Sequence, residues 1–88
     1  MAEVTIYTRR FCGYCTAAKA LLAELGIAFD EIDATEDSAL RQEMMQRSGR
    51  FTFPQIFIGA RHVGGYMELH ALKTSGEIDD LLTAGATA

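Results

Sequence analysis

The sequence predicts an α/β fold, a four-stranded mixed sheet flanked by helices on both faces. Three observations carry this. Strand-like and helix-like segments alternate through the first half of the chain. Two further strand-like segments follow, joined by a tight Gly59-Ala60 turn. At 88 residues, 49% hydrophobic and 23% charged, the chain has material for one modest core and one domain spanning residues 1–88. A crossover helix makes the first two strands parallel neighbours, whereas a two-residue turn makes the last two antiparallel.

Glu3 to Thr8 reads as the first strand, with β-branched and aromatic residues and alternating Val4 and Ile6. From Cys15 the period changes: Ala18, Leu21, Leu22 and Leu25 share one helical face, and Gly26 sits where that helix stops. Ile27 to Asp33 reads as the second strand. Thr35 or Asp37 is placed to cap a second helix over Ser38 to Arg47, with Leu40 and Met44, and at its margin Met45, turned inward. Ser48-Gly49-Arg50 ends it. Pro54 opens an apolar strand, Gln55 to Ile58, at a position where its missing N–H removes no central ladder bond. Arg61 to Val63 is the returning strand, and Gly64-Gly65 breaks it. A helix over Tyr66 to Lys73 carries Leu69 and Leu72 inward. Thr74-Ser75-Gly76 interrupts, Glu77 to Thr83 forms a last short helix, and residues 84–88 are expected to fray.

Eight basic and twelve acidic residues give a net charge of −4, the wrong sign for a nucleic-acid partner bound by bulk electrostatics. No run of about 18 apolar residues exists, so no membrane span is expected. Met1-Ala2-Glu3-Val4 lacks the basic-then-apolar pattern of a signal peptide. The expected compartment is therefore a reducing cytoplasm. The acids between Asp30 and Asp37 are most simply a solvated strand edge and a helix cap.

The two cysteines, Cys12 and Cys15, are too few for a disulfide framework, and a bridge between them closes a loop too small to stabilise much. Their C-x-x-C spacing lies between a strand and the first turn of a helix. There, unpaired N–H groups and the positive end of the helix dipole favour a thiolate, and cysteine pKa values fall to about 3.5–7.5 in such settings. Cys15, three residues on, shares the helix face but lies a turn deeper. Cys12 is thus the expected nucleophile and Cys15 the resolving thiol. Zinc is the alternative, but it needs two more ligands, and His62 and His70 are spaced more widely than usual zinc histidines. Inert buried thiols are the other alternative. Thr16 follows Cys15 where haem attachment needs His.

Three separated motifs carry a resemblance. Tyr7-Thr8-Arg9-Arg10-Phe11-Cys12-Gly13-Tyr14-Cys15, Thr52-Phe53-Pro54-Gln55-Ile56-Phe57-Ile58 and His62-Val63-Gly64-Gly65 resemble, in that order, the motifs of glutaredoxins. The likeness runs from Val4 to about Leu82. It implies a thioredoxin-like fold and a glutathione-dependent thiol–disulfide oxidoreductase. Such an enzyme reduces protein–glutathione mixed disulfides and protein disulfides, with glutathione as co-substrate and those proteins as partners. It implies a monomer.

The resemblance transfers a glutathione site residue by residue. Arg9 matches the cation that faces the glycyl carboxylate, and Tyr14 the aromatic beside the thiol. Thr52, Phe53 and Pro54 match the segment whose backbone pairs with the cysteinyl part, with a cis bond before the proline. Tyr66, Met67 and Glu68 open the helix where the γ-glutamyl group docks, held by helix N-terminal N–H groups. Met67 offers that ligand no side-chain hydrogen bond. Gly13 departs from the commoner proline and is associated in the family with a [2Fe–2S] cluster ligated by Cys12-type thiolates and glutathione between two protomers. That makes a cluster carrier or sensor, a cluster-bridged homodimer, the alternative function. Cys15 argues instead for dithiol chemistry, and no metal is obligatory. Phe11 adds an exposed apolar group beside the thiol. Arg9, Arg10, Arg47, Arg50 and Arg61 lie in segments expected to converge near Cys12. His62 and His70 are expected to be surface residues.

Overall fold

The computed structural model describes residues 2–87. Its elements are β1 (Val4–Thr8), α1 (Gly13–Glu24), β2 (Asp30–Asp33), α2 (Ser38–Ser48), β3 (Gln55–Ile58), β4 (Arg61–Gly64), α3 (Tyr66–Ser75) and α4 (Glu77–Thr87). The strands form one sheet in the order β2-β1-β3-β4. β1 pairs parallel with β2 and antiparallel with β3, and β3 pairs antiparallel with β4. The mixed sheet and its element order match the expectation.

Alternation along the strands divides the core between the two faces. Val4, Ile6, Ile56 and Ile58 point one way and pack against Ala18, Leu21 and Leu22 of α1, Leu69 of α3, and Ile78 and Leu82 of α4. Tyr7 and Phe57 point the other way and pack against Met44 of α2. Helices therefore cover both faces. Each fully buried aliphatic or aromatic side chain here contributes about 1.5–3 kcal/mol of transfer free energy.

The differences from expectation lie at element ends and have local causes. β2 begins at Asp30, not Ile27, because the Ile27 N–H turns back to the Leu22 carbonyl at 2.9 Å and seals the end of α1. Ile27 still fills the core, but as a plug and not as a strand residue. Asp37, not Thr35, caps α2: its carboxylate accepts the Leu40 N–H at 3.1 Å. Thr35 instead turns its hydroxyl to Asp33 and to the Arg10 N–H. Met45 is exposed, since the step of about 100° from Met44 carries it off the buried face. Helix α4 runs on to Thr87, beyond the Thr83 expected, through residues 84–87 that were expected to fray; Ala88 lies outside the described residues. Among the described residues no helix is long and apolar enough to cross a membrane.

Candidate active site

β1 delivers the chain into a short connection, Arg9 to Cys12, that turns into α1. Phe11 makes the turn with φ 55°, an uncommon conformation for a bulky residue, and its ring is 95% exposed. Cys12 is the N-cap of α1, a position that usually takes Ser, Thr, Asp or Asn. Its sulfur takes the role of their oxygen and accepts the Cys15 N–H at 3.2 Å. The Sγ–H faces the Phe53 carbonyl oxygen at 3.7 Å. Both cysteines are free thiols, Cys12 half-buried and Cys15 only 2% exposed.

Burial pushes the Cys15 thiol up to about 12, and the neighbouring Cys12 sulfur adds to this; the Arg9 backbone N–H and charge oppose it. At neutral pH Cys15 therefore holds its proton. The folded chain keeps this proton to higher pH than the unfolded chain, whose cysteine titrates near about 8.5. The resulting stability is full below that value and is lost as pH rises toward about 12. Urea midpoints measured between pH 8 and pH 10.5 in a Cys12→Ser background should fall more steeply with Cys15 present than in the double Cys12→Ser, Cys15→Ser variant. Equal slopes would remove this linkage.

Two clefts meet at Cys12. One, of about 370 Å³, is lined by Arg9, Arg10, Cys12, Cys15, Lys19 and Glu31 among others. The other, of about 310 Å³, is lined by Tyr14, Thr52, Phe53, Pro54, Tyr66, Met67 and Glu68, together with Arg50 and Gly65. Both cysteines and the eight residues carried over by the resemblance thus border one cleft or the other. The Cys12–Phe53 contact joins the two. The Phe53–Pro54 bond is cis, as the resemblance implied.

The charged residues are less convergent than expected. Arg9 donates only to the Arg10 carbonyl, at 3.2 Å, and makes no ion pair among the described residues. Arg10 pairs with Glu36 at 2.8 Å. Arg47 does not reach the thiol: its guanidinium lies 4.2 Å from the centre of the Phe57 ring and donates to the Tyr7 hydroxyl at 2.8 Å. Tyr7 in turn donates to Glu43 at 2.6 Å, so Arg47 locks α2 to the sheet. Arg61 pairs with Ile58 at the Val4 end of the sheet, opposite the end that leads to Cys12.

Glu68 has a structural task as well. Its Oε1 accepts the Gly65 N–H at 2.8 Å and the Arg50 Nη1 at 2.8 Å, and these two contacts hold its carboxyl below the usual range. A Cβ on Gly64 would sit 3.0 Å from the Glu68 Cδ, and one on Gly65 would sit 3.4 Å from the Pro54 carbonyl oxygen. Gly64, at φ 120°, holds a backbone conformation that side chains rarely adopt and leaves room for the Glu68 carboxylate. Tyr14, 62% exposed, stacks on Tyr66 with ring centres 6.1 Å apart.

Arg50, expected near Cys12, lines the second cleft and is tied to it through Glu68. The sequence expectations missed the part that two further residues, Gln55 and His62, play in shaping the site. Gln55 is fully buried and donates to the Thr52 carbonyl at 3.0 Å and the Thr52 hydroxyl at 3.1 Å. His62 is half-buried, not a surface residue. It meets the Gln55 Oε1 at 2.6 Å and leans on Phe57, because β4 folds back along β3 and places the two rings in register. Among the described residues no group of three His, Cys, Asp or Glu side chains is placed to hold a metal ion.

Comparison with known proteins agrees with this geometry. The glutaredoxin family model matches residues 4–63. The chain is 51% identical to glutaredoxin 3 of Escherichia coli (strain K12) over 82 residues, 93% of this chain and 99% of that protein. It is 46% identical to the glutaredoxin of Pseudomonas aeruginosa over 84 residues, 96% and 100% of the two chains. The solution structure of glutaredoxin from Brucella melitensis superposes with a TM-score of 0.85 at 58% identity, covering 97% of this chain and 92% of that one. A buckwheat glutaredoxin–glutathione complex superposes with a TM-score of 0.86 at 26% identity, covering 97% and 80%. The fold is thioredoxin-like, and the chain belongs to the glutaredoxin family of thiol–disulfide oxidoreductases.

Proposed function

We propose that the protein uses glutathione to reduce protein–glutathione mixed disulfides through Cys12, and protein disulfides through Cys12 and Cys15. The observation that carries this is the asymmetry of the two thiols. Cys12 caps a helix at the meeting point of two clefts, and Cys15 lies buried beneath it with its proton retained. As a thiolate, Cys12 attacks the glutathione sulfur of a mixed disulfide. The sulfur–sulfur bond breaks, the protein leaves as a thiolate that takes a proton, and Cys12 carries the glutathione. A second glutathione thiolate attacks that new bond, releasing oxidised glutathione and restoring Cys12. With a protein disulfide, Cys12 forms a mixed disulfide with the protein and Cys15 displaces it. The Cys12–Cys15 bond that results is reduced by two glutathiones.

Glutathione is an anionic tripeptide. Arg9 supplies the unpaired cation for its glycyl carboxylate, and the Phe53 backbone pairs with its cysteinyl part beside the Cys12 sulfur. The first N–H groups of α3, at Tyr66, Met67 and Glu68, receive the γ-glutamyl carboxylate. Tyr14 and Thr52 flank the chain between these anchors, and Arg50, paired with Glu68, braces the second cleft. The buckwheat complex supports glutathione as the ligand. The enzyme works as a monomer in a reducing compartment, the cytoplasm. The [2Fe–2S] reading raised by Gly13 is not favoured. The family match and the glutaredoxin relatives support the oxidoreductase reading instead, and no step of the route above passes through a cluster.

The test is turnover of a glutathionylated peptide in the presence of glutathione. Arg9→Glu should raise KM by about tenfold, the scale of one charge-assisted hydrogen bond lost, with the peptide–thiol product unchanged. An unaltered KM would remove Arg9 from the site. A wild-type protein that leaves the mixed disulfide intact would overturn the function.

A further inference from the structure

A chain of hydrogen bonds outside the cysteine site fixes both an amide orientation and a histidine tautomer. Gln55 Nε2 lies 3.0 Å from the Thr52 carbonyl oxygen. A carbonyl oxygen only accepts, so the Gln55 group facing Thr52 is its NH₂. The Gln55 Oε1 is left facing the His62 Nε2 at 2.6 Å. An amide oxygen also only accepts, so the His62 Nε2 carries a hydrogen. The ring that carries it is packed on Phe57, with centres 5.1 Å apart, and has little freedom to turn away.

We propose that His62 is a positioning residue for the glutathione-binding wall: its Nε2–H holds Gln55, Gln55 holds Thr52, and Thr52 leads directly into Phe53, whose carbonyl faces Cys12. This rests on the function proposed above. The wall residues Thr52 and Phe53 lie in a loop between α2 and β3, with no ladder partner to fix their backbone. Gln55, at the start of β3, is fully buried and belongs to the sheet through its pairing with Tyr7. The clamp thus transfers the rigidity of the sheet to a main-chain binding surface. Without the His62 donor, a buried amide oxygen is unpaired, and the amide no longer has a reason to keep its NH₂ on Thr52. Cys12 has a separate anchor in the Cys15 N–H, so the defect appears in ligand binding and not in the sulfur chemistry.

The experiment uses His62→Phe, which keeps a ring against Phe57 but removes the donor, together with Gln55→Met and the double variant. Each single change should raise KM for a glutathionylated peptide by about fivefold to tenfold, the scale of one hydrogen bond. The kcat, and the rate at which iodoacetamide alkylates Cys12, should stay within about twofold, because the shorter Cys15 N–H contact still holds the sulfur when the Phe53 carbonyl shifts. The double variant should be no worse than the more affected single, since both break one chain. An unchanged KM in His62→Phe, a matching fall in the alkylation rate, or additive effects in the double variant would each overturn the clamp. A second measurement needs no variant: long-range ¹H–¹⁵N correlation on the wild-type protein identifies the tautomer of neutral His62. Nε2–H is expected, and Nδ1–H overturns the proposal even if His62→Phe fails to fold. Should the wild type not turn over the peptide, the proposed function fails, while the tautomer still decides the clamp.

Discussion

Cys12→Ser should abolish turnover of a glutathionylated peptide, by at least about a thousandfold, while Cys15→Ser retains it. A serine hydroxyl is not ionised at neutral pH and cannot replace a thiolate nucleophile. At the N-cap a serine oxygen would accept the Cys15 N–H as well as sulfur does, so the fold survives and the loss is chemical. Cys15 contributes differently. Its proton is retained by burial, and in the proposed route it acts only after Cys12 is bound to a protein through a disulfide. Cys15→Ser should therefore lose reduction of an intramolecular protein disulfide and keep deglutathionylation. Activity in Cys12→Ser, measured as glutathione released from the peptide, would sink the assignment of the nucleophile.

Met44→Ala and Met45→Ala form the second pair, with the same side chain deleted at adjacent positions. Met44 is 0% exposed between α2 and the Tyr7–Phe57 face, and Met45 is 45% exposed. Met44→Ala should cost about 3 kcal/mol through lost burial and a residual cavity, which for a chain of this size lowers Tm by roughly 15 °C. Met45→Ala should change stability by less than about 0.5 kcal/mol. Urea unfolding followed by circular dichroism reads both. Similar losses at the two positions would mean that α2 is rotated from the orientation described.

The second pair also marks what the residues reveal without a structure. The helical period placed Met44 inward, and strand alternation placed Val4 and Ile6; both signals are local and strong. The C-x-x-C spacing and its place before a helix announced the chemistry for the same reason. Ile27 was misassigned because its alternation with Phe29 is real, while the hydrogen bond that takes its N–H to Leu22 depends on how α1 ends. Arg47 and His62 were misplaced for a tertiary reason. Arg47 finds the Tyr7 and Phe57 rings only once α2 lies across the sheet. His62 meets Gln55 only in the observed β3–β4 register. Arg47 lies 40 residues from Tyr7, and although His62 is only seven from Gln55, neither a helical nor a strand period announces their contact. The same holds for Glu68, whose capping bond to Gly65 follows from its spacing but whose bridge to Arg50 spans two elements.

The outer strand has a consequence for how this protein meets other chains. β2 lies at the edge of the sheet, and Asp30, Glu31 and Asp33 occupy three of its four positions, all exposed. An edge strand offers unpaired backbone groups on which a foreign strand can grow, the first step of cross-β aggregation. Carboxylates along that edge make a second copy a poor template, because like charges would face each other at strand spacing. On the proposed function, a protein that takes other polypeptides by their sulfur atoms is thereby hindered from pairing with them by their backbones.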